Sequence, residues 1–187
     1  MGTTSRCVCG LDLAAKPKNP SALAFIDLKT LRVSLSTLYK TPEILSAITL
    51  ARPVLTAIDA PLSPPKGGGG FRKAELLLRR VYGCKTLPLT LPSMRKLHER
   101  GVKIARALEK AGLRVIEVHP SSTRRLLGWA GLSDEELRRE LVKTGLGGDL
   151  EKAKPSRHEL DAVLAALTAL YYPVSYTHLT LPTTERV

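Results

Sequence analysis

Acidic residues interrupt or end apolar segments at four places in this chain. They are Asp12, Asp59, Glu117 and Asp161. A buried carboxylate is costly unless it is paired or bound to a metal ion. Because carboxylate oxygens are hard ligands, a cluster of them suits Mg²⁺ or Mn²⁺. The pattern therefore predicts a site where acids converge on one of these ions.

The four acids belong to three predicted strands and one predicted helix, so they approach from different elements. Two divalent ions held by carboxylates activate a water and stabilise the leaving oxygen in phosphodiester cleavage. Any one of these acids could instead be a cap or an ion-pair residue, but four together favour a site. We therefore expect all four to be catalytic. Asp12, Asp59 and Asp161 are the expected metal ligands, and Glu117 would ligate or orient.

The chain is strongly basic, since 29 Lys and Arg against 17 Asp and Glu give a net charge of +12. This excess favours an anionic partner, and nucleic acid (DNA or RNA) is the leading candidate. The alternative is a basic surface without a specific partner. No apolar run is long enough to span a membrane, and no apolar secretory segment opens the sequence. We expect a cytoplasmic protein with no membrane partner.

Basic residues near the acids are candidates for phosphate contacts. They are Lys16, Lys66, Arg72, Arg95 and Arg100. Lys66 and Arg72 flank a run of four glycines, whose backbone amides could cradle a phosphate. The alternative for this run is a flexible connector. Arg95 lies near the start of a predicted helix, where the helix dipole favours anions.

Two histidines lie close to these acids in sequence. His119 follows the strand that carries Glu117 and could assist proton transfer or orient a ligand, although a structural hydrogen bond is the more common role. His158 precedes Asp161 by three residues, so the two can share one face of a helix. His158 is therefore either a cap-region residue or part of the site.

The apolar periodicity predicts an α/β protein. Strands are expected at residues 6–14, 22–29, 31–38, 53–60 and 114–119, and helices at 42–52, 71–82, 94–111, 121–130, 133–144 and 157–171, with a loop at 145–155. A three-strand antiparallel meander followed by α/β crossovers gives a mixed sheet with parallel strands and helices on both faces. Its length is that of one domain, which we place at residues 1–173.

Residues 174–187 break the pattern. They resemble the translated product of a transposon-type sequencing adapter read into an open reading frame. We expect this tail to be non-native and give it no function. The alternative is a genuine short terminal strand.

Five short motifs, taken in chain order, resemble an uncharacterised family of predicted nucleases with an RNase H-like fold. They lie at residues 10–14, 57–63, 94–101, 116–120 and 158–162, and the resemblance spans residues 7–172. It implies an RNase H-like sheet and acids on the first strand, the fourth strand and a late helix. Here these are Asp12, Asp59 and Asp161. Glu117, on the fifth strand, stands in a less usual place for a catalytic acid.

Three functions are compatible with these residues. The first is a metal-dependent nuclease that hydrolyses phosphodiester bonds in DNA or RNA. The second is a nucleic-acid-binding protein on the same fold without turnover, whose binding weakens steeply with salt. The third is phosphoryl transfer from a nucleotide, which the short length and the missing second lobe disfavour.

Overall fold

The computed structural model of the protein describes residues 6–65, 70–152 and 154–176. Within these ranges the strands are β1 (Cys7–Asp12), β2 (Ser21–Asp27), β3 (Arg32–Leu38), β4 (Leu55–Asp59), β5 (Val115–Glu117) and β6 (Gly147–Gly148). The helices are α1 (Thr41–Ala51), α2 (Lys73–Tyr82), α3 (Pro92–Lys110), α4 (Pro120–Leu126), α5 (Asp134–Lys143), α6 (Asp149–Lys152) and α7 (Arg157–Tyr176).

The strands form a mixed sheet in the order β5-β4-β1-β2-β3-β6. β1, β2 and β3 pair antiparallel, while β4 and β5 run parallel to β1. This confirms the predicted meander followed by parallel strands. Parallel strands end at the same edge of a sheet, so the carboxyl ends of β1, β4 and β5 lie side by side.

Helices cover both faces of the sheet, as predicted. Alternation along β1 turns Val8, Gly10 and Asp12 to one face, where Val8 belongs to the core built around α7. Cys9 and Leu11 point to the other face and pack with apolar residues of α1 and α3.

Gly10 lets α7 approach the sheet closely. A Cβ at this position would lie 2.1 Å from the carbonyl oxygen of Ala162 and 2.3 Å from the amide nitrogen of Ala166. Both atoms are backbone and cannot move aside like a flexible side chain. The absence of a side chain at Gly10 therefore determines how near the start of α7 comes to the end of β1.

The segment predicted as a loop at 145–155 contains β6 and α6, so that prediction was wrong. β6 pairs parallel to β3. A Cβ at Gly148 would lie 2.4 Å from the carbonyl oxygen of Val33, and the Asp149 carboxylate accepts the Leu35 N–H at 2.8 Å. These contacts join residues more than a hundred positions apart, which local periodicity does not reveal.

The last helix continues to Tyr176, three residues beyond the predicted domain boundary. Residues 177–187 lie outside the described part of the chain, so the non-native origin of the tail stays a prediction. Among the described helices, none is both long and apolar enough to cross a membrane.

Candidate functional site

The register of the two central parallel strands places two of the predicted acids side by side. Asp12 ends β1, Asp59 ends β4, and the two are direct partners across the strand pair. Strand alternation puts both on the sheet face that α7 covers. Two carboxylates from different strands therefore meet at one edge of the sheet, as the sequence predicted.

The first turns of α7 bring two further side chains to this edge. His158 Nδ1 lies 2.6 Å from Asp12 Oδ2, and 58% of the His158 side chain is exposed. Asp161, one turn later, accepts a hydrogen bond from Arg157 Nε at 3.1 Å through Oδ2. Its other oxygen, Oδ1, is buried and has no hydrogen-bond partner within the described residues.

The electrostatics of this edge are unfavourable for bare carboxylates. Burial raises the pKa of Asp59 well above its ordinary value, and the charges of Asp12, Asp161 and Glu117 raise it further. Burial also raises the pKa of Asp12, although its hydrogen bond to His158 opposes the shift. A positive ion at this position would offset both the cost of burying the ionised carboxylates and the repulsion between them.

The donor set fits a hard divalent cation. It contains three carboxylates from three elements, one of which has a buried oxygen without a partner. Across the part of the chain that the structure describes, no three His, Cys, Asp or Glu side chains are already gathered in a metal-binding arrangement. The nearest contacts of Asp12 and Asp161 are instead His158 and Arg157.

Glu117 occupies a different environment from the other acids. It pairs in register with Ile58, whose side chain belongs to the core around α1 and α3, so alternation turns it away from the α7 face. Its Oε2 accepts the Leu62 N–H at 2.7 Å and Arg72 Nη1 at 2.7 Å, and Oε1 accepts Arg72 Nη2. Its predicted catalytic role stays a prediction, and the contacts favour orienting over ligation.

Arg72 joins this strand end to the start of α2. Its guanidinium binds Glu75 and Glu117, and its Nη1 donates to Ser63 Oγ at 3.2 Å. Burial opposes the charge, but hydrogen bonds to Glu117 and Glu75 raise the pKa of Arg72. Only 10% of the side chain is exposed. A phosphate contact by Arg72 therefore stays a prediction that competes with these ion pairs.

The other predicted phosphate contacts divide into exposed and buried residues. Lys16, after β1, and Arg95, in the first turn of α3, are exposed. Arg100 is only 7% exposed and donates to the carbonyl oxygens of Ala14 and Tyr39, which gives its guanidinium a structural role. Lys66 lies outside the described residues.

His119 stands at the N-terminus of α4 and close to the acids. Its Nδ1 lies 2.6 Å from Ser122 Oγ. Burial lowers the pKa of His119, while the charges of Glu75, Asp161 and Glu117 oppose that shift. Burial thus disfavours the charged form of the imidazole, and the auxiliary role of His119 stays a prediction.

Sequence reasoning missed two residues that shape the site. Arg157 bridges Asp161 and the Asp134 carboxylate, the latter at 2.9 Å through Nη1. Its spacing of four residues from Asp161 was the available signal. Glu75 is 6% exposed and buried against Arg72. Its signal was the three-residue spacing of a capping box at the start of α2.

The sequence profile of a family described as "Protein of unknown function (DUF429)" matches residues 10–183. A comparison with curated proteins finds no match. Among solved structures, T. thermophilus RuvC in complex with Holliday junction substrate has a TM-score of 0.57 and 16% identity, covering 90% of this chain and 96% of that one. A second Thermus thermophilus RuvC structure has the same TM-score and coverage with 17% identity. The yeast mitochondrial Holliday junction resolvase Ydc2 has a TM-score of 0.52 and 13% identity, covering 95% and 82%.

At such low identity these similarities concern the fold alone. They confirm the predicted RNase H-like architecture, which RuvC shares. The family profile agrees with the resemblance drawn from the five motifs, because residues 10–183 include all of them.

Proposed function

Since the chain belongs to the DUF429 family and has a RuvC-like fold, we propose that it is a divalent-metal-dependent nuclease. The observation that carries this proposal is the in-register pairing of Asp12 and Asp59 at one sheet edge, with Asp161 near enough for its charge to act on both. Asp59 is partly buried and its pKa is raised, and Asp161 has a buried oxygen without a partner within the described residues. The ion pair with Arg157 occupies only Oδ2 of Asp161, so it does not satisfy this second oxygen.

The roles of the residues follow from their contacts. Asp12, Asp59 and Asp161 would hold Mg²⁺ or Mn²⁺, which when bound activates a water and stabilises the leaving oxygen. His158 orients the Asp12 carboxylate through Nδ1 and can exchange a proton with it. Glu117 accepts a hydrogen bond from the Leu62 N–H and so positions the segment that follows Asp59.

Nucleic acid is the proposed substrate because of charge and position. The net charge of +12 favours a polyanion, and exposed Lys16 and Arg95 lie on segments at the carboxyl end of the central strands. RuvC was solved with a Holliday junction substrate, so branched DNA belongs among the substrates to be tested.

The direct test is cleavage of labelled single-stranded, duplex, hybrid and four-way-junction nucleic acids with Mg²⁺, Mn²⁺ or EDTA. We expect cleavage with either metal ion and none with EDTA. Asp12→Asn should lower the rate at least about 100-fold, since even loss of an outer-shell partner costs roughly 10–100-fold. Glu109→Gln changes an exposed acid on α3 and is the matched control. Cleavage that persists in Asp12→Asn would contradict the proposal.

The second candidate function is binding without cleavage. The observation in its favour is that Arg72 and Arg157 already neutralise Glu117 and Asp161. This function predicts salt-sensitive binding, no metal requirement and no product in the same experiment.

A further inference from the structure

A cavity of about 240 Å³ opens directly beside Asp59. It lies between α2, α3 and the carboxyl end of β5. Its lining is largely apolar and includes Ala74, Leu78, Met94 and Leu97. A space of this kind next to a partly buried carboxylate is characteristic of a ligand site rather than of a packing gap.

Charged and polar groups border the apolar walls. Glu75 and Arg72 line one side, where Arg72 Nε and Nη2 donate to Glu75 Oε1 at 3.0 and 2.7 Å. Thr86 also lines the cavity, and its buried hydroxyl has no hydrogen-bond partner among the described residues. Lys85 is exposed at the same cavity. The site therefore combines apolar surface with fixed polar groups at its edges.

The chemistry of a nucleic-acid strand decides what would fill this space. At a nuclease site the scissile phosphate lies at the metal-binding carboxylates, so the cavity beside Asp59 faces the adjoining nucleoside. Phosphate and sugar are too polar for walls of Leu78, Met94 and Leu97. A base presents an apolar face and polar edges, and enzymes hold unstacked bases between apolar side chains in such pockets.

We propose that this cavity receives one nucleobase, unstacked from the strand next to the scissile phosphate. The inference rests on the proposed nuclease function and adds a base-binding subsite to it. Lys85, at the edge of the cavity, would contact the backbone of the same nucleotide. Arg72 acts as a positioning residue, because its pairs with Glu75 and Glu117 tie α2 to the end of β5.

The first experiment places 2-aminopurine at successive positions around the cut site and measures its fluorescence with Asp12→Asn protein, which should bind without cutting. Because 2-aminopurine brightens when it leaves the stack, we expect a rise at one position beside the cut. Met94→Trp, which fills the cavity, should abolish the rise. Leu91→Trp places the same side chain on an exposed position outside the lining and should retain it.

The second experiment compares cleavage of an intact substrate with cleavage of a substrate that lacks the base. The Met94→Trp variant, in the otherwise native chain, should cleave the intact substrate at least about tenfold more slowly. This is the size of effect expected when one base contact is lost. It should cut a substrate that is abasic at that position within about threefold of the unsubstituted protein. If Met94→Trp does not fold, Ala74→Leu, on the α2 part of the lining, provides the same comparison.

The outcomes separate the two proposals. Cleavage without a fluorescence rise at any position, or equal effects of Met94→Trp on intact and abasic substrates, overturns the base subsite and leaves the nuclease function standing. A protein that neither binds nor cuts any nucleic acid overturns both.

Discussion

A partly buried carboxylate close to other carboxylates is costly to ionise, and Asp59 is in this position. Burial, and then Asp12, Asp161 and Glu117, raise its pKa well above the ordinary 3.8. An acid whose pKa is raised on folding stabilises the fold fully below its unfolded pKa and loses that contribution as pH rises through its folded pKa. The contribution of Asp59 to the stability of the metal-free protein should therefore decrease as pH rises above its ordinary pKa of 3.8.

We predict that Asp59→Asn stabilises the metal-free protein at neutral pH, since the amide cannot ionise. The melting temperature in EDTA should rise by at least about 2 °C, the shift that roughly 1 kcal/mol gives at this chain length. The gain should vanish below pH 3.8, where Asp59 is protonated in both states. Mn²⁺ should stabilise the native chain and not the variant. If the variant and the native chain have the same melting temperature at every pH, ionised Asp59 does not destabilise the fold.

Arg157 and a metal ion would compete for Asp161. The Arg157 side chain is 45% exposed, and such pairs contribute only about 0.2–1 kcal/mol. We predict that Arg157→Gln tightens Mn²⁺ binding about two- to fivefold, measured by titration calorimetry. Arg139→Gln breaks a comparable exposed pair with Glu135, away from the site, and should have no effect. Weaker Mn²⁺ binding by Arg157→Gln would instead mean that Arg157 positions Asp161 for metal binding.

At the scale of elements, the site depends on how closely α7 approaches β1. His158 and Asp161 reach the end of β1 because Gly10 leaves room for the backbone of α7. The contact joins residues 146 positions apart in the chain. A small displacement of α7 would therefore separate the two halves of the site without unfolding either element.

We predict that Gly10→Ala destabilises the protein by about 1–3 kcal/mol, the usual cost of overpacking a core. Thermal unfolding measures this loss. Nuclease activity at a temperature where the variant is fully folded should fall as well, because α7 is pushed away from Asp12. Gly131→Ala is the control, since nothing lies within 4 Å of a Cβ at that position. A Gly10→Ala protein with native stability would contradict the close packing of α7.

At the scale of the whole molecule, the charge of +12 matters through its distribution. Lys16 and Arg95 are exposed on segments near the carboxyl ends of β1 and β4. Arg6 and Arg32 are also exposed but lie at the opposite end of these strands, since Arg6 precedes β1 and Arg32 opens β3, which runs antiparallel to β2 and so in the same direction as β1. The two pairs allow the contribution of position to be separated from that of net charge.

We predict that the double variant Lys16→Ala and Arg95→Ala weakens duplex DNA binding and reduces the slope of log K against log salt by about 2. Fluorescence anisotropy at several salt concentrations measures both quantities. Arg6→Ala with Arg32→Ala removes the same charge and should leave the slope unchanged. Equal slopes for both double variants would place the nucleic acid elsewhere on the surface.

Local sequence determined the elements and the strand-end acids. Alternation of period two marks β3, and apolar runs that end in an acid mark β1 and β4, because these signals arise within a few residues. The in-register meeting of Asp12 and Asp59 follows once both strands are parallel neighbours. The three-residue spacing of His158 and Asp161 likewise showed that they share a helix face.

Only the tertiary structure decided which side chains these acids meet. Arg72, a predicted phosphate contact, is paired with Glu117, 45 residues away, while Arg100 is buried against backbone carbonyl groups. The cavity beside Asp59 exists because residues of α2 and α3 line it together. Such contacts depend on the packing of distant elements, on which local periodicity and spacing place no constraint.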